Sequence, residues 1–231
     1  LYDKLIDLAI GLPGQKILDL GTGSGVFPRA MYHHGAEYIG VDVAAGQIEV
    51  ARKLADQEQK EIQFEVAAAE ELDFPDHSFD AITAIQCWLY FDLEVLIPKI
   101  RKILRPQGKL AIVYMHWLFE ADELVRASED LILKYNPGWS GARFPRFEPK
   151  VADFAEPHFE PLQILSYDAH IPFTSHTWMG RIRASRGIGA TLSPDQIQAF
   201  DQEHRQLIKS LRPDQFTVLH QVTMTVYQLK N

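Results

Sequence analysis

A single cysteine, Cys87, in 231 residues rules out an intrachain disulfide and fits a reducing compartment, so a cytoplasmic location is expected. No apolar run approaches the ~20 residues that cross a bilayer. No leader or lipidation motif is evident either, so no membrane partner is expected. Excess positive charge is also missing. The formal net charge is −8, which argues against a general nucleic-acid binder. The glycine patterns of two common nucleotide sites are absent as well. There is no G-x-G-x-x-G dinucleotide fingerprint and no G-x-x-x-x-G-K phosphate loop. Repeats and low-complexity tracts are not seen.

What remains is the composition of a soluble globular protein, 46% apolar and 23% charged, long enough to bury a sizeable core. Its charge is uneven. Residues 1–100 hold 7 Lys/Arg against 17 Asp/Glu, whereas residues 101–231 hold 16 against 14. The bland account is an ordinary solvated surface. The functional one is a second half that caps a site and meets an anionic substrate.

The stretch Lys16-Ile17-Leu18-Asp19-Leu20-Gly21-Thr22-Gly23-Ser24-Gly25 organises the chain. A short buried strand runs into glycines at alternate positions, and a helix-compatible segment follows over Val26–His34. Bare glycines let a ligand approach the backbone closely. A carboxylate at Asp19, just before the turn, repels phosphate and suits an ammonium, which points towards S-adenosylmethionine rather than NAD. A second strand, Tyr38–Asp42, ends in a carboxylate 23 residues on, one crossover helix later, where it can accept both ribose hydroxyls.

Five motifs in order, LDLGTGSG, YIGVD, AAAEELDFPDHSFDAI, IQCWLYFD and KILRPQGKLAIV, span about residues 15–115. Together they resemble the class I S-adenosylmethionine-dependent methyltransferases, similar to the small-molecule enzymes of the trans-aconitate and ubiquinone-biosynthesis type. The resemblance implies a Rossmann-like α/β fold. It has a seven-stranded sheet of order 3-2-1-4-5-7-6 with strand 7 antiparallel, helices on both faces and a helical cap between strands 6 and 7. It implies one domain over 1–231, with a cofactor-binding core over 1–117 and cap or substrate segments at 118–160 and 174–213.

The cofactor, or its product S-adenosylhomocysteine, would be held by Asp19, Gly21, Thr22, Gly23, Gly25, Asp42, Val43, Gln47, Ala68, Ala69, Glu70 and Gln86. Three positions depart from the family pattern. Gln47 stands where a Met usually lies on the adenine. Ala68 stands where an Asp meets the adenine amino group, leaving Glu70 or the backbone at Ala69 to compensate. Leu89 replaces the His of Q-x-x-H-[WY]-F-D, which removes a base from that place.

Strand five is expected over Lys109–Tyr114, after a turn at Arg105–Gly108. It delivers His116, the best-placed group for proton work, and Trp117. Trp88 and Tyr90 are candidates to line the transfer site, the alternative being packing under the next helix. Further on, a helix is expected over Glu120–Tyr135, a short one over Val151–Phe154, and strands over Leu162–Phe173 and Phe216–Leu229. Arg143 lies in a basic, aromatic loop. Arg181, Arg183 and Arg186 offer forks for a carboxylate or phosphate, against ordinary surface pairing. Arg181 and Arg183 are two apart and diverge on a helix. No metal site is expected; His33 and His34 suit a helix C-terminus without one. The expected activity is methyl transfer to a small-molecule acceptor, anionic or carboxylate-bearing. The alternatives are a non-catalytic binder of the same nucleosides and, less favoured, an NAD-linked oxidoreductase.

Overall fold

The computed structural model describes residues 1–230 and divides into two compact units. The first comprises residues 1–114, 149–166 and those from 223 onward; the second comprises 115–148 and 167–222. Strands β1 (Lys16–Leu20), β2 (Glu37–Asp42), β3 (Gln63–Val66) and β4 (Phe79–Ile85) pair in parallel. β1 and β4 are almost continuously apolar because helices cover a parallel sheet on both faces. The register sets Asp19 opposite Gly40 on one side and Thr83 on the other.

After a short α1 (Tyr2–Asp7), α2 (Val26–Met31) connects β1 to β2, α3 (Ala45–Gln57) connects β2 to β3, and α4 (Leu93–Ile103) follows β4. α3 buries Ile48, Ala51 and Ala55, and α4 buries Leu96, Ile97, Ile100 and Ile103, both at helical spacing. Asp92 caps α4 by accepting from the Glu94 N–H, and Arg101 and Lys102 sit at its opposite, negative end.

β5 (Leu104–Trp117) is longer than the sequence predicts. Leu104 pairs with Phe79 and Lys109 with Ala81, so residues 105–108 bulge out of the ladder instead of preceding it. The bulge needs its glycine: a Cβ on Gly108 would lie 2.8 Å from the Arg105 carbonyl oxygen.

The sheet is completed by β6 (Phe159–Thr174) and β7 (Gln215–Leu229), giving the order β3-β2-β1-β4-β5-β7-β6. β7 runs against its neighbours. Leu118 bonds Leu219 while Gln228 reaches Gln107; Ser175 bonds Asp214 while Lys230 bonds His158. Architecture and strand order are those the resemblance implied. The short helix expected over Val151–Phe154 is not formed. That stretch is a series of turns tied by Ala155 N–H to Ala152 O, and Ala152 N–H donates to the Tyr227 hydroxyl. The seven residues between Pro149 and Pro157 are too few to sustain a helix of their own.

The second unit holds α5 (Glu123–Tyr135), α6 (Ser175–Arg183) and α7 (Pro194–Leu211) around Trp117, Ile132, Trp178, Ile182, Phe200 and Ile208. Both inserted helices begin with reciprocal capping: Thr174 with Thr177 for α6, and Ser193 with Gln196 for α7, where Pro194 takes the first helical position. A polar knot sits inside this apolar core. Trp178 Nε1–H donates to Ser128 Oγ (3.2 Å), and Ser128 lies 3.0 Å from His204 Nε2.

Candidate functional site

Between β1 and α2 the backbone takes the left-handed conformation at each of the three turn glycines, with φ of 59° at Gly21, 55° at Gly23 and 71° at Gly25. Two of them are also sterically obligatory. A Cβ on Gly21 would sit 2.9 Å from Cys87 Sγ, and one on Gly25 would sit 2.6 Å from the Phe64 ring. Gly23 faces open space, with nothing nearer than Gln47 Oε1 at 4.0 Å. The turn is therefore packed from below and left bare where a ligand would lie.

Two carboxylates flank it. Asp19 is 2% exposed, and its Oδ1 accepts from Thr83 Oγ1 at 2.6 Å. Burial pushes the Asp19 carboxyl up to about 7, aided by the nearby Asp42 charge and opposed by the Thr83 bond. A buried carboxylate with no cation beside it is ready to take one. Asp42 has its oxygens turned to the main chain, with Gly23 N–H on Oδ2 (2.8 Å) and Ala44 N–H on Oδ1 (2.9 Å). It thus ties the glycine turn to the start of α3. Beyond it Val43 is 70% exposed, and Gln47 is exposed one turn on.

Ala68 is half-buried and Ala69 buried, at the start of a single 3-10 turn. Glu70, which the sequence offered as a substitute for the missing adenine contact, instead accepts the Asp92 N–H on Oε1 (2.8 Å) and so anchors the loop to α4. Gln86 follows β4 with φ of 67°, unusual for a residue with a Cβ, and its N–H is held by Val113 O at 2.8 Å. Such conformations collect at ligand sites.

Trp88 does not line a cavity. It is 7% exposed and packs against Phe91 and Phe154 (ring centroids 6.0 and 5.2 Å), so the packing alternative holds there. Tyr90 is 49% exposed. Cys87 is buried with its Sγ on the Leu20 carbonyl (3.0 Å), and burial raises its thiol pKa, which makes it inert filling beneath Gly21.

These residues fit S-adenosylmethionine on their own chemistry. They supply a desolvated carboxylate for an ammonium, a second carboxylate for hydroxyls, small residues at 68 and 69 for a flat ring, and a turn with no side chain in the way. Sequence reasoning missed Thr83, which holds Asp19. Its only signal is a polar residue inside an apolar strand, opposite Asp19 in register.

The second unit distributes its predicted residues differently. The guanidinium of Arg181 stacks 4.8 Å from the Trp117 ring, burial lowers its pKa, and no carboxylate pairs with it among the described residues. Arg183 is committed to Asp201 and Arg143 to Asp130 (3.1 Å), while Arg186 is exposed. Arg181 and Arg183 do not converge, as their spacing implied. Trp117 Nε1–H donates to Glu129 (2.7 Å), whose other oxygen accepts the Arg143 N–H (2.8 Å).

His116 lies between the rings of Phe144 (5.1 Å) and Phe147 (5.5 Å). Both of its ring nitrogens are buried without a partner among the described residues. Burial and the neighbouring His220 and Arg146 lower its pKa, so the imidazole is neutral near pH 7. Beside it a cleft of about 190 Å³ is lined by Leu118, Phe119, Glu120, Ala121, Phe144 and Arg146.

Comparison with known proteins bears on the first unit above all. Residues 18–112 match the model of the family described as methyltransferase domain. Demethylmenaquinone methyltransferase of Thermus thermophilus is 34% identical over 113 residues, 48% of this chain and 51% of the relative. Ubiquinone biosynthesis O-methyltransferase of Coxiella burnetii is 32% identical over 119 residues, 51% of each. The chain thus spans about half the length of the curated relatives it matches. In fold it is similar to the YcgJ protein of Bacillus subtilis, with a TM-score of 0.57 and 20% identity over 100% of this chain and 97% of that one. With the glycine turn, its two carboxylates and the strand order already in place, these matches show that residues 18–112 are similar to the methyltransferase domain family.

Proposed function

We propose that the protein transfers a methyl group from S-adenosylmethionine to a small-molecule acceptor carrying an anionic or carboxylate group. The observation that carries the cofactor half is the pair Asp19 and Asp42 on either side of a side-chain-free glycine turn. In this reading Asp19 takes the amino group, Asp42 the ribose hydroxyls, and Val43, Ala68 and Ala69 the adenine, with Gln47 at its edge. The cofactor supplies a methyl already activated on a sulfonium, so the protein's task is in-line placement and exclusion of water. No acid or base is obligatory for a carboxylate oxygen, whereas a phenol or amine needs one. His116 is the residue proposed for that proton, supported by its neutral, unpartnered ring. Arg181 is proposed to pair with the acceptor's charge, supported by its desolvated guanidinium without an acid. The relatives' names, an O-methyltransferase and a demethylmenaquinone methyltransferase, are in keeping with a small-molecule acceptor. A cytoplasmic setting without nucleic-acid or membrane partners completes the proposal.

A second reading, a non-catalytic binder of the same nucleosides, draws on Ala68, Gln47 and Leu89. A thermal-shift titration with S-adenosylmethionine, S-adenosylhomocysteine and NAD separates the readings, since a ligand of the native state raises the midpoint by mass action. A rise with both sulfur nucleosides and none with NAD, followed by turnover in a screen of carboxylic acids, is the expected result. A rise with no turnover on any acceptor favours the binder. A rise with NAD alone sinks the proposal.

A further inference from the structure

Phe144, Pro145 and Arg146 form a short bridge between two fixed points. At one end Arg143 donates its N–H to Glu129 Oε2 (2.8 Å) and its side chain to Asp130 (3.1 Å). Its φ of 57° is uncommon for a residue with a Cβ, a conformation found at hinges and switch segments. At the other end the Gln221 side chain grips the Phe147 backbone twice, accepting from its N–H (3.2 Å) and donating to its carbonyl (2.9 Å). Pro145 stiffens the piece between.

This bridge closes over His116. The Phe144 ring meets the imidazole edge-on at 5.1 Å, and Phe147 stacks on it at 5.5 Å. Both imidazole nitrogens are thereby sealed from water, with no partner among the described residues. Leaving a donor and an acceptor both unmade is costly. What opposes that cost at the centre of the bridge is one exposed ion pair, Arg146 to Asp168 through two bonds of 2.6 Å, and exposed pairs contribute little. The closed position is therefore only weakly favoured.

A second position is at hand. Phe144 is 49% exposed and lines a cleft of about 190 Å³. An apolar cavity of about 150 Å³ holds benzene, so the cleft has room for the Phe144 ring. Across it lies Glu120, which forms no ion pair among the described residues and whose charge already acts on Arg146.

We propose that Phe144-Pro145-Arg146 is a gate over His116, which opens when Phe144 swings into the cleft and Arg146 exchanges Asp168 for Glu120. Opening hydrates the imidazole and buries an exposed aromatic ring. The gate goes beyond the methyl-transfer reading; where that reading holds, it decides when an acceptor can meet His116.

The probe is diethyl pyrocarbonate at pH 7, which acylates accessible neutral imidazoles, with each histidine of the full chain followed by peptide mass spectrometry. In the unsubstituted protein His116 should react at least about tenfold more slowly than the exposed His176, because it reacts only through the open form. Asp168→Asn weakens the closed latch and should speed His116 about fivefold. Glu120→Gln removes the open partner and should slow it. Opposite signs from two exposed substitutions are not a consequence of general loosening. Buried His204 reports unfolding and should stay unreactive in both variants. An unchanged His116 rate in Asp168→Asn, an unchanged or faster one in Glu120→Gln, or a parallel rise at His204 overturns the gate. The readout needs neither cofactor nor acceptor. A working gate in a protein that transfers no methyl group leaves this inference standing and defeats the other alone.

Discussion

Thr83 Oγ1 donates to Asp19 Oδ1 across 2.6 Å, joining β4 to the strand that leads into the glycine turn. The bond fixes a carboxylate that is buried and has no cation paired with it among the described residues. Thr83→Val keeps the shape and removes the donor, leaving an acceptor unsatisfied. The protein should lose about 1–3 kcal/mol of stability in urea unfolding. S-adenosylmethionine affinity at pH 7 should fall at the same time, because an unsupported Asp19 holds its proton more firmly. Asp19→Asn should abolish binding in titration calorimetry while the fold persists.

The cofactor's affinity should depend on pH through Asp19, whose carboxyl sits at about 7 in the free protein. Only the ionised form attracts an ammonium. Below the pKa the site must first release a proton, so affinity rises as pH rises. Between pH 6 and pH 8 the gain at this residue should be about tenfold. A flat profile over that range would show that the carboxyl is already ionised.

His204 makes the opposite demand at acid pH. It is buried beside Ser128, and burial lowers its pKa to about 4. The unfolded state, near 6.5, therefore binds the proton more readily throughout the interval from 6.5 down to about 4. Stability is complete above that interval and is lost as pH falls through it. At pH 5 the loss relative to pH 7 should be about 2 kcal/mol. His204→Asn should flatten the pH slope of urea unfolding even though its absolute stability is lower.

Two glycine substitutions should part company. Gly25→Ala forces a Cβ to 2.6 Å from Phe64 at a φ of 71° and should destabilise the chain by about 2 kcal/mol or more, with loss of cofactor binding. Gly46→Ala, in α3 with nothing within 4 Å of the new Cβ, should gain about 0.5–1 kcal/mol. Thermal melts of the two variants check both signs.

Among the arginines only Arg181 should affect the acceptor. Arg181→Met, which keeps the stem on Trp117, should raise the acceptor KM by about tenfold or more with little change in kcat. Arg183→Met and Arg186→Met should leave KM unchanged, the first because its fork is already occupied by Asp201. Steady-state kinetics on a confirmed acceptor decides.

The first unit was largely legible because its information is local. LDLGTGSG encodes strand, turn and helix start within ten residues, and YIGVD places the second carboxylate. What escaped was set by distant neighbours. Thr83 matters only through its register with Asp19. Trp88, an aromatic just past a strand end, is equally compatible with a pocket wall and with core, and Phe154, far along the chain, decides for core. The bond from the Asp92 N–H to Glu70 is equally hidden in the sequence, because its partners lie 22 residues apart. In the second unit, Phe144 and Phe147 were visible only as part of a basic, aromatic loop, since it takes the tertiary fold to set them around His116.

The bonds from Gly23 and Ala44 to Asp42 come from main-chain N–H groups. A socket framed by backbone is insensitive to which side chains decorate it. On the proposed reading, the adenine side of the site can therefore be re-cut, at Gln47 and Ala68 in particular, without disturbing the carboxylate proposed to hold the sugar. This makes the protein a suitable starting point for accepting cofactor analogues with enlarged bases, the selectivity residing in replaceable side chains and the grip in the chain itself.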